Sequence, residues 1–589
     1  MNIHNYLLLW QRFSRSSLLV FTIPLLAING FDQSLMPHDE GYYAMQARWI
    51  WETGDWLTPQ WWGVPIYDRT IGIQWAIALA YHLFGLNEFS VRLPSAIACI
   101  ASVLLTYEIG KLLFDRQIAW VGAALLMLMG LWVNEAHTAQ QNTGLVAIEL
   151  LGIWALLQIA ARSTSLSSSP HGLTTQADTL ARATKSPATG TVTKISWGWG
   201  IIAGMTVGWG FLLKGFMIFV PLVALLPYTI DRHRYRTFLT NPGIYLGLIL
   251  GAIPTGLWLI LSCYQYGSIA PARELIEKML LLSQTDTYNP GPFYYLWMMP
   301  LNIFPWALFS AIGAFTLWRR LLPLNYSHLS LSLGYPIALF ILLSLFRTRM
   351  IYYTMQLLPF MALLAAVAFS QFSRISRHDS PRWYRFVTWL NYAFGGLGFV
   401  LVLAGLLVAI DLPISGIAIT PEIRSYALPA IGLGGGWMTI WICWQRWQRG
   451  GIPYWLASWL MPAWFAVMSI GWQGGFADKS PDFRTAFDRL QIERSIADRP
   501  VNLLIDTAEA NGFKQNKQQG NALSVEEHKA LILLSFYTPH LGKKITEFAN
   551  LPINSYAWVL NISPQFATQS RILGKVQGWQ LIQKIGDDQ

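Results

Sequence analysis

Apolar runs long enough to cross a bilayer, separated by short polar breaks, dominate the pattern of this chain. A spanning helix needs about 20 mostly apolar residues. Candidates fall near 13–30, 93–113, 117–134, 144–161, 198–213, 216–230, 242–264, 293–316, 327–346, 351–370, 386–410, 426–444 and 452–473, which predicts thirteen spans. The first run is long and lacks a following small-residue cleavage site, so it is expected to be retained rather than removed as a signal peptide. Segment 71–85, IGIQWAIALAYHLFG, is too short for a comfortable span.

Charge placement decides how that segment is counted. Arg12 and Arg15 put the N-terminus in the cytoplasm under the positive-inside rule. If 71–85 does not cross, the cytoplasmic loops collect Lys111 and Arg116; Arg162, Arg182, Lys185 and Lys194; Arg232, Arg234 and Arg236; Arg319 and Arg320; Arg374, Arg377, Arg382 and Arg385; and Arg446 with Arg449. If it crosses, all of these face outside. Segment 71–85 is therefore expected to lie in the interface or re-enter. Thirteen crossings put the C-terminus outside. From about residue 474 the chain turns polar, with DKSPDFRTAFDRLQIER followed by short apolar runs such as VNLLID and YAWVLNI. That change predicts a small α/β domain over 474–589, outside the membrane. The expected fold class is an all-α polytopic membrane domain, residues 1–473, with this small C-terminal α/β extracytoplasmic domain. The Ser-, Thr-, Ala- and Pro-rich stretch 163–197 reads as a flexible cytoplasmic linker. Residues 31–92 read as a first outer loop with in-plane helices. No internal repeat suggests an inverted-repeat transporter.

Composition agrees with a membrane protein. Charged residues make up 12 % of the 589, the mean hydropathy is +0.37, and there are 29 tryptophans. A disordered chain and an ordinary soluble enzyme are excluded. The net charge of +10 reflects cytoplasmic loops, and no nucleic-acid partner is implied. Cys99, Cys263 and Cys443 are far apart within apolar runs and read as free core thiols.

The candidate chemistry lies where polar residues break the outer-face pattern. The first outer loop holds Asp39 and Glu40, followed by Tyr42, Tyr43, Trp49, Trp51, Trp56, Trp61 and Trp62. Adjacent carboxylates can bind a metal or take a proton from an acceptor hydroxyl. Alternatively, Asp39 caps the helix that follows, and the aromatics form an interfacial belt. Lys214, in GFLLKGF, is either a snorkelling helix end or a phosphate partner. The stretch FRTRMIYYTMQLLP, residues 346–359, sets two arginines and two tyrosines at a membrane border.

These residues, in this order, resemble the bacterial polyprenyl-phosphate-dependent glycosyltransferases of GT-C fold. That group includes the aminoarabinose transferase that modifies lipid A and, more distantly, the protein O-mannosyltransferases. The matching text is HDEGYYAMQARWIWETGDWLTPQWWGVPIYDRTIGIQWAIALAYHLFGLNEFSVRLPSAIA, then FLLKGF at 211–216, the stretch from Tyr294 to Trp306, and FRTRMIYYTMQLLP. It covers roughly residues 30–370.

The resemblance implies an inverting transfer of a hexosyl or pentosyl group. The sugar leaves a polyprenyl-phosphate donor and joins a lipid, glycan or protein hydroxyl at the outer face of a bacterial inner membrane. Asp39, with Glu40, would act at the acceptor. Arg69, Lys214, Arg349 and Tyr353 would hold the donor phosphate. Tyr42, Tyr43, Asp68, His137, Asn142, Arg273 and Tyr294 would line the cleft, and the loop 268–292 would gate it. Membrane lipids are further expected partners. No cofactor is assigned beyond a divalent metal left open at Asp39, Glu40 and Asp68. The chain departs from the family pattern at Asn142, where a Thr-Asp pair is common, and at Arg69 and Arg349, where lysines are usual. Two other functions fit the composition: a flippase for lipid-linked sugars, and a non-catalytic envelope assembly protein.

Overall fold

The computed structural model describes residues 14–28, 33–62, 64–67, 69–167, 190–230, 235–284, 290–321, 326–375, 378, 380–411, 419–446, 452–476, 478–492, 496, 499–505, 523–560 and 568–586. They fall into two compact units. The helical unit comprises residues 1–28, 95–136 and 141–473. The mixed unit comprises residues 29–94, 137–140 and 474–589. Packing thus groups the first outer loop with the C-terminal segment, a division the polarity change at 474 alone does not reveal.

In the helical unit, seven helices are long and apolar enough to cross a membrane, and nine if each bent pair counts as one span. Their ranges are Glu88–Leu113, Gln141–Ala161, Trp197–Ala224, Pro242–Tyr266, Ile351–Ser373, Pro381–Ala409 and Pro421–Gln445. The bent pairs are Arg116–Leu126 with Gly130–Ala136, and Tyr294–Asn302 with Trp306–Arg319. The expected count of thirteen is not reproduced among the described residues, for local reasons. Runs 13–30 and 327–346 give the short apolar helices Arg15–Ala27 and Ser330–Leu345. Runs 198–213 and 216–230 meet in one stretch, broken only by a 3-10 turn at Gly215–Ile218. Run 452–473 forms the helix Ile452–Trp472, with Pro462 inside it.

The core of this unit is dense in large rings. Trp132, Trp306 and Trp459 are fully buried, and Phe309 stacks on Phe369 at 4.6 Å between ring centres. Between the helices Gly190–Lys214 and Pro242–Tyr266 the packing has another character. Gly204 and Gly208 face Gly247 and Gly251 so closely that a Cβ on Gly208 would lie 2.1 Å from the Gly251 carbonyl. One on Gly247 would lie 2.2 Å from the Ile201 oxygen. Only glycine permits such backbone contact, which recurs where membrane helices associate.

The mixed unit carries the sheet expected of the tail. A short hairpin, β1 (Gln60–Trp61) and β2 (Val64–Pro65), belongs to the outer loop. The larger sheet has five strands: β3 (Val501–Leu504), β4 (Leu541–Ile545), β5 (Tyr556–Val559), β6 (Ser570–Val576) and β7 (Trp579–Lys584). Their order is β4-β3-β5-β7-β6, with β3 parallel to β4 and β5, and β7 antiparallel to both β5 and β6. The parallel β3–β4 pair requires a crossover, and the helix Val525–Tyr537 lies within it. Ser524 and Glu527 start that helix with a reciprocal capping box.

Arg48, from the helix Tyr42–Thr53, caps the C-terminal end of the helix Val525–Tyr537. Its fully buried guanidinium donates to the carbonyls of Phe536 (2.8 Å), Thr538 and Pro539 (2.7 Å), and its Nε donates to Glu52. A cation is favoured at a helix C-terminus, where carbonyls lack partners. Trp61 and Trp62 both donate their indole N–H to Ser535 Oγ. Segment 71–85 forms the 13-residue helix Gly72–Phe84 of this unit and is not one of the candidate spans.

Candidate functional site

In the mixed unit, Asp39 and Glu40 sit in the π-helical turn Pro37–Gly41. Adjacent in sequence, they have opposite surroundings. Glu40 is fully buried and its oxygens accept four hydrogen bonds. Oε1 takes Arg92 Nε at 2.7 Å and the Ala139 N–H at 3.1 Å. Oε2 takes an Arg92 terminal N–H at 2.9 Å and the Met36 N–H at 3.0 Å. Arg92 also donates to the carbonyls of Gln33 and Ser34. Every acceptor position of Glu40 is therefore used.

The Asp39 side chain is 30 % exposed. Its Oδ1 lies 3.9 Å from Arg69. The Arg69 guanidinium is placed over the rings of both Tyr42 (4.7 Å) and Tyr43 (4.8 Å), which fixes it beside Asp39 by cation–π attraction. Arg69, expected with the donor-phosphate cations, is thus grouped with Asp39, Tyr42 and Tyr43. His38 stacks near His528 of the helix Val525–Tyr537, with ring centres 5.9 Å apart, and His528 also approaches Trp61. Burial, then the positive Lys529 nearby, holds the His38 pKa below its usual value. Burial and His38 lower that of His528 to about 4, so it is neutral at ordinary pH. His137, expected in the cleft, stacks on Phe476 at 5.4 Å. Asp68 lies outside the described residues.

The helical unit holds the second group. Lys214, at the end of Gly190–Lys214, donates its Nζ to Asn142 Oδ1 and lies over the rings of Tyr352 (5.5 Å) and Tyr353 (5.0 Å). Asn142 in turn donates to Glu135 Oε2 at 3.4 Å, and Asn134 donates to Glu135 Oε1 at 3.2 Å. The negative charge that Asn142 itself lacks is therefore supplied one hydrogen bond further on, by Glu135, which is 5 % exposed. Glu135, in the apolar run LWVNEAH, carries no sequence signal of its own.

Lys214, Asn142, Tyr352 and Tyr353 meet at a tight crevice with essentially no free volume, lined also by Leu145, Val146, Met217, Met355 and Gln356. Arg349 is buried and donates to the Ser344 carbonyl. Arg349 and Tyr353 both lie within electrostatic reach of Tyr295, which itself donates to the Met350 carbonyl. Tyr294 packs its ring against Tyr295. Arg273, on the helix Ala270–Gln284, is exposed and pairs with Glu277.

A divalent metal is not well served by these side chains. Among the described residues no three His, Cys, Asp or Glu side chains gather to hold an ion. With Glu40 saturated, the Asp39–Glu40 pair presents one carboxylate rather than two. The three cysteines are free.

Comparison with known proteins shows what the chain is similar to. The sequence model for dolichyl-phosphate-mannose-protein mannosyltransferase matches residues 68–167 and 188–260. The chain is 28 % identical over 353 residues to the undecaprenyl phosphate-alpha-4-amino-4-deoxy-L-arabinose arabinosyl transferase of Pseudomonas aeruginosa, covering 58 % of this chain and 57 % of that protein. It is 25 % identical over 394 residues to the same-named transferase of Pectobacterium carotovorum, covering 66 % and 64 %. The matched stretch thus spans a little over half the length of the Pseudomonas relative.

The fold is similar to that of ArnT from Cupriavidus metallidurans over 98 % of both chains at 16 % identity. The TM-score is 0.63 to the apo crystal structure and 0.64 to the one bound to undecaprenyl phosphate. The resemblance read from the sequence is borne out: this is a multi-pass membrane protein that resembles the GT-C glycosyltransferases acting with polyprenyl phosphates. The particular relatives it matches are the aminoarabinose transferases of the ArnT kind.

Proposed function

We propose that the chain is an inverting glycosyltransferase that moves a sugar from a polyprenyl-phosphate donor to a hydroxyl acceptor. The observation that carries this reading is Lys214, an ammonium held over two tyrosine rings beside Leu145, Val146, Met217 and Met355. Such a site suits a phosphate on an isoprenoid tail, since the charge meets the headgroup and the methionine, valine and leucine walls meet the lipid. The similarity to the undecaprenyl-phosphate transferases supports it.

In the reaction, Asp39 accepts the proton of the acceptor hydroxyl. The acceptor oxygen bonds to the anomeric carbon from the face opposite the phosphate. The bond from that carbon to the phosphate oxygen breaks, and its electron pair leaves on the phosphate. Lys214 and Arg349 stabilise that growing charge. Arg69 orients Asp39, and Glu40 holds the turn in which Asp39 sits.

We further infer thirteen crossings of a bacterial inner membrane, with the N-terminus cytoplasmic and the mixed unit outside. The short helices Arg15–Ala27 and Ser330–Leu345 and the helix Ile452–Trp472 would supply three of the crossings beyond the nine described above. The positive-inside pattern supports this orientation.

The test is transfer by purified protein in detergent, from a panel of polyprenyl-phosphate sugars to a membrane extract. Product is expected from the wild type and none from Asp39→Asn. A flippase needs two compartments and forms no product in detergent, so binding without transfer would overturn the assignment in favour of transport.

A further inference from the structure

Gln356 stands apart from every other polar group around Lys214. It is 3 % exposed, and both its amide nitrogen and its amide oxygen are buried without a hydrogen-bond partner. Swapping the two atoms changes nothing, because both ends are unmet. A buried amide in that state is costly, and such groups are rare in folded proteins.

Its position is not incidental. Gln356 lies in the 3-10 stretch Ile351–Leu357, where residues three apart share a face. That spacing places it beneath Tyr353, and both line the cleft with Lys214 and Asn142. Lys214 and Asn142 are already bonded to each other. The amide thus stays outside that pair, buried and unmet at the wall of the crevice.

We propose that Gln356 is the donor-sugar specificity residue of this cleft, holding a hydroxyl or amino group of the sugar next to the phosphate. The inference rests on the reading of the cleft as the polyprenyl-phosphate site. The chemistry selects the sugar over the rest of the lipid. The amide nitrogen can be met by any acceptor, including a phosphate oxygen. The amide oxygen needs a group that donates a hydrogen. An ionised phosphate diester has none, and an isoprenoid chain has neither. A sugar hydroxyl supplies donor and acceptor together, so it satisfies both ends of the glutamine at once. A site built to bond a substrate hydroxyl discriminates strongly against analogues that lack it.

Two binding measurements on the full chain in detergent test this, using polyprenyl phosphate without a sugar and the same lipid carrying the sugar found in the transfer assay. Gln356→Met keeps the volume and removes both polar atoms. It is expected to bind the bare lipid phosphate as the wild type does and the sugar-bearing donor about tenfold more weakly. Equal weakening for both ligands would make Gln356 a phosphate contact, and no change for either would make it a packing residue; each result overturns the proposal. Lys214→Ala serves as the reference and should lose both ligands. If it binds bare lipid phosphate normally, the phosphate site itself is misplaced and the Gln356 inference falls with it. A second measurement needs no variant. Wild-type protein should bind a donor whose sugar hydroxyls are methylated no better than bare lipid phosphate, and full affinity for that donor would refute the role.

Discussion

Replacing Glu40 by glutamine separates the two neighbouring carboxylates. Glu40 is fully buried, and all four of its acceptor positions are taken. A glutamine keeps one oxygen. Its NH2 then faces a pair of donors, either Arg92 Nε–H with the Ala139 N–H or an Arg92 terminal N–H with the Met36 N–H. It also leaves the guanidinium of Arg92, 6 % exposed, without its counter-charge. Each orphaned buried donor costs about 1–3 kcal/mol, and breaking a buried ion pair from one side costs about 3–5 kcal/mol in all. For a unit of this size each kcal/mol moves the midpoint by about 2–4 °C, so the apparent Tm should fall by roughly 10 °C. The assay is thermal unfolding of the full chain in detergent at one scan rate, alongside Asp39→Asn. Asp39 is partly exposed and has Arg69 only at 3.9 Å, so its substitution should shift stability by no more than about 1 kcal/mol while removing turnover. If Glu40→Gln melts with the wild type and loses turnover as Asp39→Asn does, Glu40 belongs to the chemistry and the division of labour is wrong.

Arg48→Met should destabilise the mixed unit by about 2–4 kcal/mol, because three or more carbonyls at the end of Val525–Tyr537 lose the buried cation that donates to them; an unchanged denaturant midpoint would refute the capping role. His528, held neutral with its pKa near 4 against about 6.5 when unfolded, binds fewer protons folded than unfolded between those values. Stability is thus fully present above about pH 6.5 and is lost as the pH falls toward 4, by up to about 3 kcal/mol. His38, Lys529, Glu526, Asp39 and Arg69 surround this pair, so the comparison is between wild type and His528→Phe, whose unfolding midpoint should vary less over that range; parallel pH curves would sink the idea. Glu135→Gln should lower transfer at least tenfold by leaving the Lys214–Asn142 pair without its charge, and wild-type kinetics would remove Glu135 from the donor site.

Sequence reading found the elements whose cause is local. Runs of twenty apolar residues became long helices, and the polarity change near 474 marked the segment that holds the five-stranded sheet. It also singled out Asp39, beside a second carboxylate in a loop dense in aromatics, and Lys214, a lone cation between apolar runs. What it missed depends on contacts between distant residues. Arg48 and Ser535 are 487 positions apart, so the joining of the outer loop to the tail leaves no local trace. Asp39 and Glu40 look alike in sequence, and only burial tells the ion-paired Glu40 from the partly exposed Asp39. Gln356 reads as an ordinary residue in a helical border until both ends of its amide prove unmet. Glu135 is hidden because its contact with Asn142 forms only when the helix Gly130–Ala136 and the start of the next helix, Gln141–Ser167, come together.

The glycine seam between Gly190–Lys214 and Pro242–Tyr266 has a consequence for inheritance of function. Where side chains interdigitate, a lost methyl can be absorbed by neighbours that shift rotamer. Where one backbone rests on another there is nothing to shift, and any added carbon moves a whole helix. Lys214 is the last residue of such a helix, so its height is tied to Gly204 and Gly208 and to their counterparts Gly247 and Gly251. Variation at these four positions, remote from any reacting atom, should therefore register as failure to use the donor rather than failure to fold. Drift along this lineage is free to alter the tyrosines and the amide around the ammonium, and with them the sugar, while the rail that carries the ammonium stays fixed.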